Sequence, residues 1–215
     1  MIRVLLVHDA RLLRSALAER LAREPDLEVF HTPWAAARRR LGAVRPDLCV
    51  ADLDGEHDRA LAPLGELWAP ADPADPTGPA DQANGSAPRV PLLVLASAHR
   101  PGLLRRATDA GALGFVDKAS APEQLLTGIR QVAAGARYVD DSLGFGFLKA
   151  AQIPLTQREL SVLTLAAGGA SVAEIAHRLH LTNGTVRNYM AAITRKTGAR
   201  NKVDAIRISQ GEGWV

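Results

Sequence analysis

Two groups of residues in this chain have the types and spacing to do chemistry. The first is spread over the N-terminal half: His8-Asp9, Asp52 with Asp54 nearby, Ser97 and Lys118. Carboxylates gathered at one point can hold a hard divalent cation, and a lysine beside them can neutralise phosphoryl oxygens. The second is compact and lies near the end, in the stretch TNGTVRNYMAAITRK over 182–196. Arg187 can chelate guanine and Asn188 can pair with adenine through two hydrogen bonds each. Thr182, Thr185, Arg195, Lys196 and, just beyond, Lys202 are suited to phosphate oxygens. Each group works only if the surrounding elements bring it to one place.

For the first group the elements are short apolar runs. Residues 2–7, 27–30, 48–51, 90–95 and 114–117 are rich in Val, Leu and Ile and read as buried parallel strands. Helical patterns lie between them. Leu13, Leu17 and Leu21 recur at i, i+4 and i+8; Pro33 opens a helix through Arg38–Arg40; 58–68 is weakly helical; 101–110 ends before Gly111. The last helix, over 122–134, carries Leu125, Leu126, Ile129 and Val132 on one face and stops at Gly135. Five strand–helix alternations argue a doubly wound parallel sheet, with its site at the C-terminal strand ends. Asp9, Asp52, Ala96-Ser97 and Lys118 all fall there. Residues 69–88, almost without large apolar side chains, read as a flexible insert.

The second group sits in an all-helical pattern. Residues 137–152 read as a linker with a helical part, which Asp140-Asp141-Ser142 could cap. Thr156-Gln-Arg-Glu159 and Ser171-Val-Ala-Glu174 are capping boxes, each opening a helix. Leu181 makes the turn, and Thr182 or Asn183 caps the next helix. Val186, Met190 and Ile193 at i, i+4 and i+7 face the core, so Asn183, Arg187, Asn188 and Ala191 take the opposite face. Gly198 stops this helix and Asn201 caps a fourth. That is a helix-turn-helix with a recognition helix.

Charge follows the same division. Residues 151–215 hold eight Lys and Arg against four acids, while the rest of the chain holds 18 against 19. The basic C-terminal part is the one expected to meet a polyanion. The single cysteine, Cys49, excludes a disulfide framework and, in its apolar run, reads as a buried small hydrophobe in a cytoplasmic protein. The N-terminus lacks the pattern of a signal peptide, and no apolar run approaches a membrane span; no membrane partner is expected.

The order Asp9, Asp52, Lys118 and Phe115 over 1–136 resembles the receiver domain of bacterial response regulators, which has a flavodoxin/CheY-like fold. The resemblance implies Asp52 as phosphoacceptor, Asp9 and Asp52 as Mg²⁺ ligands, Lys118 as phosphate-binding lysine and Phe115 as switch aromatic. Over 153–215 the spacing L-T-x-R-E-x-x-V-L, E-I-A-x-x-L, T-V-R-N-Y and A-R-N-K-x-x-A-I resembles the LuxR-type DNA-binding domain. Together they resemble the NarL/FixJ class. RPGLLRRATDAGALGFVDK and the ending TVRNYM…EGWV look closest to DesR-like members, and the altered acidic pocket resembles regulators of high-GC actinobacteria.

Several residues depart from the receiver pattern. His8 stands where a second acid is usual, Ala96 where a hydroxyl is usual with Ser97 one place on, and Asp54-Gly55 where Met-Pro is usual. Imidazole is a poor Mg²⁺ ligand. The expectation is therefore a sequence-specific transcriptional regulator, not an enzyme, that binds double-stranded DNA as a dimer. Its receiver would be atypical, controlled through a small-molecule ligand, a partner or dimerisation, with a pocket of His8, Asp9, Asp52, Asp54, Ser97 and Lys118. No cofactor is expected; Mg²⁺ enters only in the alternative, conventional two-component phosphorylation at Asp52. The dimer surface implied by the resemblance is the first and fifth receiver helices, Leu12, Leu13 and Ala16 against Leu125, Leu126 and Ile129. RNA polymerase is a further candidate partner. Thr197 stands where the DNA-binding family often has a buried Leu, and Ala191 where some members carry a Lys; Ala191 can still touch a thymine methyl.

Overall fold

The structure, a computed structural model, describes residues 1–53 and 90–215. Asp54, the 58–68 helix and the 69–88 insert lie outside the described residues. The described residues form two compact units, 1–98 with 106–144 and 99–105 with 145–215.

In the first unit, β1 (Ile2–Val7), β2 (Leu27–Thr32), β3 (Leu48–Asp52), β4 (Leu92–Ala96) and β5 (Gly114–Asp117) all pair in parallel. A two-residue β6 (Tyr138–Val139) adds to the edge, and the sheet order is β2-β1-β3-β4-β5-β6. Residues 137–152 thus hold more than the expected linker: β6, a 3-10 turn at Asp141–Leu143 and a helix. Asp140 caps that turn by accepting from the Ser142 N–H. The helices of this unit are α1 (Arg11–Leu21), α2 (Ala37–Val44) and α4 (Pro122–Ala133), with a 3-10 turn at Trp34–Ala36 before α2, while α3 (Pro101–Asp109) is divided between the two units at residue 105.

Every residue of β3 and β4 is buried, as central strands covered on both faces require. One core layer joins Val4, Leu6, Val50, Leu93 and Leu95 to Leu21 of α1 and to Leu125, Leu126, Ile129 and Val132 of α4. The apolar face of α4 is therefore spent on the sheet. Leu125, Leu126 and Ile129, expected at the dimer surface, are core residues at 6%, 5% and 0% exposure, and that expectation is corrected. Leu12, Leu13 and Ala16 of α1 do lie exposed. Of the Leu13, Leu17, Leu21 repeat, Leu17 and Leu21 pack with Ala18 against the core. Cys49 is fully buried, and burial pushes its thiol pKa far up.

The second unit is helical: α5 (Gly144–Ala150), α6 (Gln157–Ala167), α7 (Val172–Leu179), α8 (Asn183–Lys196) and α9 (Lys202–Gly211). Its core holds Val162, Leu163, Ile175, Val186, Ile193 and Ala205. Both expected capping boxes are present, Thr156 with Glu159 and Ser171 with Glu174. Each satisfies two amides that the helix start leaves without intrahelical partners.

The first unit has little slack where α4 crosses the sheet. A methyl group on Gly114 would come within 2.7 Å of Val132 Cγ2 and 2.9 Å of Leu93 Cγ. Both side chains are fully buried and have nowhere to move. Gly114→Ala is expected to destabilise the protein by about 1–3 kcal/mol in denaturant titrations. An unchanged unfolding midpoint would show that α4 packs more loosely than this.

Candidate functional site

The receiver pocket follows from strand register. Val7 pairs with Ala51, Asp52 with Leu95 and Ala96 with Asp117, so the C-terminal ends of β1, β3, β4 and β5 are level. The residue after Val7 then stands beside Asp52, and the residue after Asp117 lies past the end of β5, two strands over at the same edge of the sheet. These are His8 and Lys118.

Asp52 is only 3% exposed and His8 6%. The imidazole Nε2 lies 3.1 Å from Asp52 Oδ2, and the Lys118 ammonium pairs with Asp52 Oδ1. The backbone N–H of Ala10 donates to His8 Nδ1 at 3.0 Å. That bond uses the Nδ1 lone pair and leaves the proton on Nε2, which donates to the carboxylate. Burial holds the His8 pKa below its ordinary value of 6.5, against the opposing pull of Asp52, so the ring is neutral near neutral pH.

Asp9 takes a further hydrogen bond at the same end of the sheet. Its Oδ1 accepts from the backbone N–H of Trp34 at 2.9 Å. The indole Nε1–H of Trp34 donates to the carbonyl of Asp52 at 3.0 Å. Arg14 reaches back from α1 to the carbonyls of His8 at 2.6 Å and Asp9 at 3.2 Å. Sequence reasoning missed both Trp34 and Arg14. The available signals were Pro33, which sets the backbone at the end of a strand next to β1, and an arginine in the first turn of the helix that follows Asp9. Ser97 lies one residue past the end of β4 and is part-buried, and Phe115 is buried in β5. The structure thus gathers His8, Asp52 and Lys118 in direct contact, with Asp9 joined through Trp34.

These residues do not fit a Mg²⁺ centre. The cation needs oxygen lone pairs in near-octahedral array. Both Asp52 oxygens are already engaged, the imidazole presents an N–H where a lone pair would be needed, and Asp9 is partly spent on Trp34. Among the described residues, no group of three or more His, Cys, Asp or Glu side chains could hold a metal ion.

The candidate nucleic-acid face is built by α7, the turn and α8. Helix α7 ends on His180 in the left-handed conformation (φ 53°), which redirects the chain through Leu181. The Thr182 hydroxyl accepts from the Thr185 N–H at 3.1 Å and caps α8, and the two hydroxyls lie 2.9 Å apart. Val186 and Ile193 are fully buried, with Met190 packed against the core. Asn183, Arg187, Asn188 and Ala191 are exposed, on the face the periodicity expected. Arg195 and Lys202 are exposed as well. Lys202 starts α9 beside Asp204, whose acid is pulled down to about 2 by the Arg200 backbone N–H and the Arg207 guanidinium.

Lys196, expected at a DNA phosphate, is exposed and also makes an ion pair within its own unit. Its ammonium lies 2.8 Å from Oε2 of Glu159, the same oxygen that closes the α6 capping box through Thr156. A carboxylate side chain only 5% exposed needs a compensating charge, which the exposed Lys196 supplies.

A parallel sheet of this order, with a carboxylate and a lysine meeting at its C-terminal edge, defines a response-regulator receiver when one chain joins it to a helix-turn-helix. Residues 153–209 match the family "Bacterial regulatory proteins, luxR family". Response regulator RamR of Streptomyces coelicolor is 48% identical over 216 residues, covering 100% of this chain and 98% of its own length. Transcriptional regulatory protein DesR of Bacillus subtilis is 32% identical over 216 residues, with 100% and 99% covered. A structure of the two-component response regulator RcsB with DNA shares the fold at a TM-score of 0.59 and 18% identity, covering 98% of each chain. The chain belongs to the NarL/FixJ-type response regulators with a LuxR-family helix-turn-helix; it is a transcriptional regulator, as its relatives are, and not an enzyme. No helix among the described residues is long and apolar enough to cross a membrane.

The Glu159–Lys196 pair makes a measurable prediction. Burial pushes the Glu159 pKa up, but the hydrogen bonds from Lys196 and Thr156 outweigh it and hold it below the ordinary 4.5. A lowered carboxylate contributes stability that is present above its unfolded value and lost as pH falls through the folded one. Lys196→Met is expected to cost about 1–3 kcal/mol at neutral pH, with the gap to the parent narrowing below pH of about 4. Denaturant titrations at both pH values check it; a gap independent of pH would assign the loss to packing.

Proposed function

We propose that this chain binds double-stranded DNA sequence-specifically as a dimer. Asn183, Arg187, Asn188 and Ala191 read base edges, while Thr182, Thr185, Arg195, Lys196 and Lys202 set the register on phosphates. The observation that carries the reading is the two-sided α8: a polar, exposed face opposite a buried Val186–Ile193 seam, on a helix whose start is capped by Thr182. One such helix reads only a few base pairs, so useful specificity calls for two half-sites. A solved RcsB structure holds two dimers bound to two parallel DNAs, which supports the same mode here. The exposed Leu12, Leu13 and Ala16 of α1 supply an apolar half of a contact between copies. The setting is the cytoplasm, with RNA polymerase as the downstream partner.

The receiver unit, in this reading, works without ordinary phosphorylation at Asp52 and without a cofactor. Control passes to a ligand, a partner or dimerisation itself. The support is the engagement of both Asp52 oxygens, by His8 and by Lys118. Conventional phosphotransfer at Asp52 is the second reading, favoured by the Lys118–Asp52 contact and by relatives named response regulators.

Footprinting of the purified, unphosphorylated protein tests both. Protection of a defined operator is expected without a phosphodonor, unchanged by acetyl phosphate with Mg²⁺ and unchanged in Asp52→Asn. Arg187→Ala is expected to weaken operator binding by about 1–3 kcal/mol at fixed salt, most at one base position. Operator affinity that survives Arg187→Ala would overturn the docking; binding that appears only with the phosphodonor would establish the second reading.

A further inference from the structure

Resting on the reading of α8 as the helix that reads DNA, we infer that Gly184 is a specificity-determining residue of its exposed face. The missing side chain lets the backbone of α8 come down onto the base pair that Asn188 reads. Glycine weakens a helix and is kept where the backbone or its surroundings require it. In the same unit Gly169 and Gly198 have such a reason, with φ of 84° and 67°. Gly184 has none of that kind. It is the second residue of α8, in helical backbone, and it is exposed. A methyl group on it would meet Thr182 Oγ1 at 3.7 Å, an ordinary contact, and nothing closer among the described residues. Alanine fits there and restricts the unfolded chain, so folding alone favours the larger residue.

Gly184 is set apart by its place on the helix. With Arg187, Asn188 and Ala191 it stands at i, i+3, i+4 and i+7, and all four are exposed. Helical side chains lean toward the N-terminus, over the residue four places back. The Asn188 amide therefore extends toward Gly184. Asparagine is short, and its paired hydrogen bonds to adenine in the major groove require the helix backbone to come close. A side chain four places before it would be the first to strike the DNA. Gly42 of α2 is a helical glycine in equally open surroundings, but it lies in the receiver unit, outside that face.

The test uses the full chain and two duplexes of equal length, one selected from a randomised pool by the parent protein and one unrelated to it. At fixed salt, Gly184→Ala is expected to bind the selected duplex about tenfold more weakly and the unrelated one as the parent does. Its melting temperature is expected to equal the parent's or to exceed it by about 1–4 °C. Gly42→Ala, the control, is expected to melt no lower than the parent and to leave both affinities unchanged.

Undiminished affinity in Gly184→Ala, beside a clear loss in Arg187→Ala, overturns the role of Gly184 alone. An equal loss on both duplexes does the same, because it places the glycine at a phosphate and not at a base. A lowered melting temperature also overturns it, since the unbound helix would then itself need glycine. If Arg187→Ala binds undiminished too, or the parent selects no duplex, the reading of α8 falls with it.

Discussion

A carboxylate cannot be taken out of water alone. Asp52 is nearly inaccessible, and an unpaired ion at that depth would cost several kcal/mol. The end of the sheet is arranged to meet that cost, with an ammonium on one oxygen and an imidazole N–H on the other. The level register of four parallel strands brings these groups together from residues far apart in the chain. The arrangement is self-contained: it satisfies Asp52 with residues of the protein itself. A site that relied on solvent or a bound ion to neutralise the acid would stand ready for exchange.

The helical unit handles its buried charge by the same rule and for a different end. Glu159 closes the first capping box, lies against the core and receives the ammonium at the far end of the recognition helix. One carboxylate thereby ties the start of α6 to the end of α8. Packing of Val186 and Ile193 sets which face of α8 is turned inward, and the Glu159 tie holds its C-terminal end. The recognition face is the remainder, and its exposure needs no further device.

Much of this was legible in the sequence because it depends on local signals. The capping boxes and the i, i+4, i+7 seam of α8 are short-range patterns, and the apolar runs mark the strands. Long-range partners were less legible. Lys196 has the type and position of a phosphate contact, and nothing near it in the chain reveals Glu159 as its partner 37 residues away. Leu125, Leu126 and Ile129 form one apolar stripe whether it meets a sheet or a second copy, and only the packing decides between these. Trp34 and Arg14 enter the pocket because β2 lies beside β1 and α1 turns back over its strand, which no motif records.

Trp34 gives the receiver an optical handle of its own. Its indole N–H is bonded to the carbonyl of Asp52, and its backbone N–H to Asp9. Indole emission shifts with the electric field across the ring, and the ionised groups of the pocket are among the sources of that field. Any change in how Asp52 is held alters the field at a fluorophore the chain already contains. A version keeping Trp34 as its sole tryptophan would report the state of the pocket as a colour, without a label and without touching the exposed face of α8.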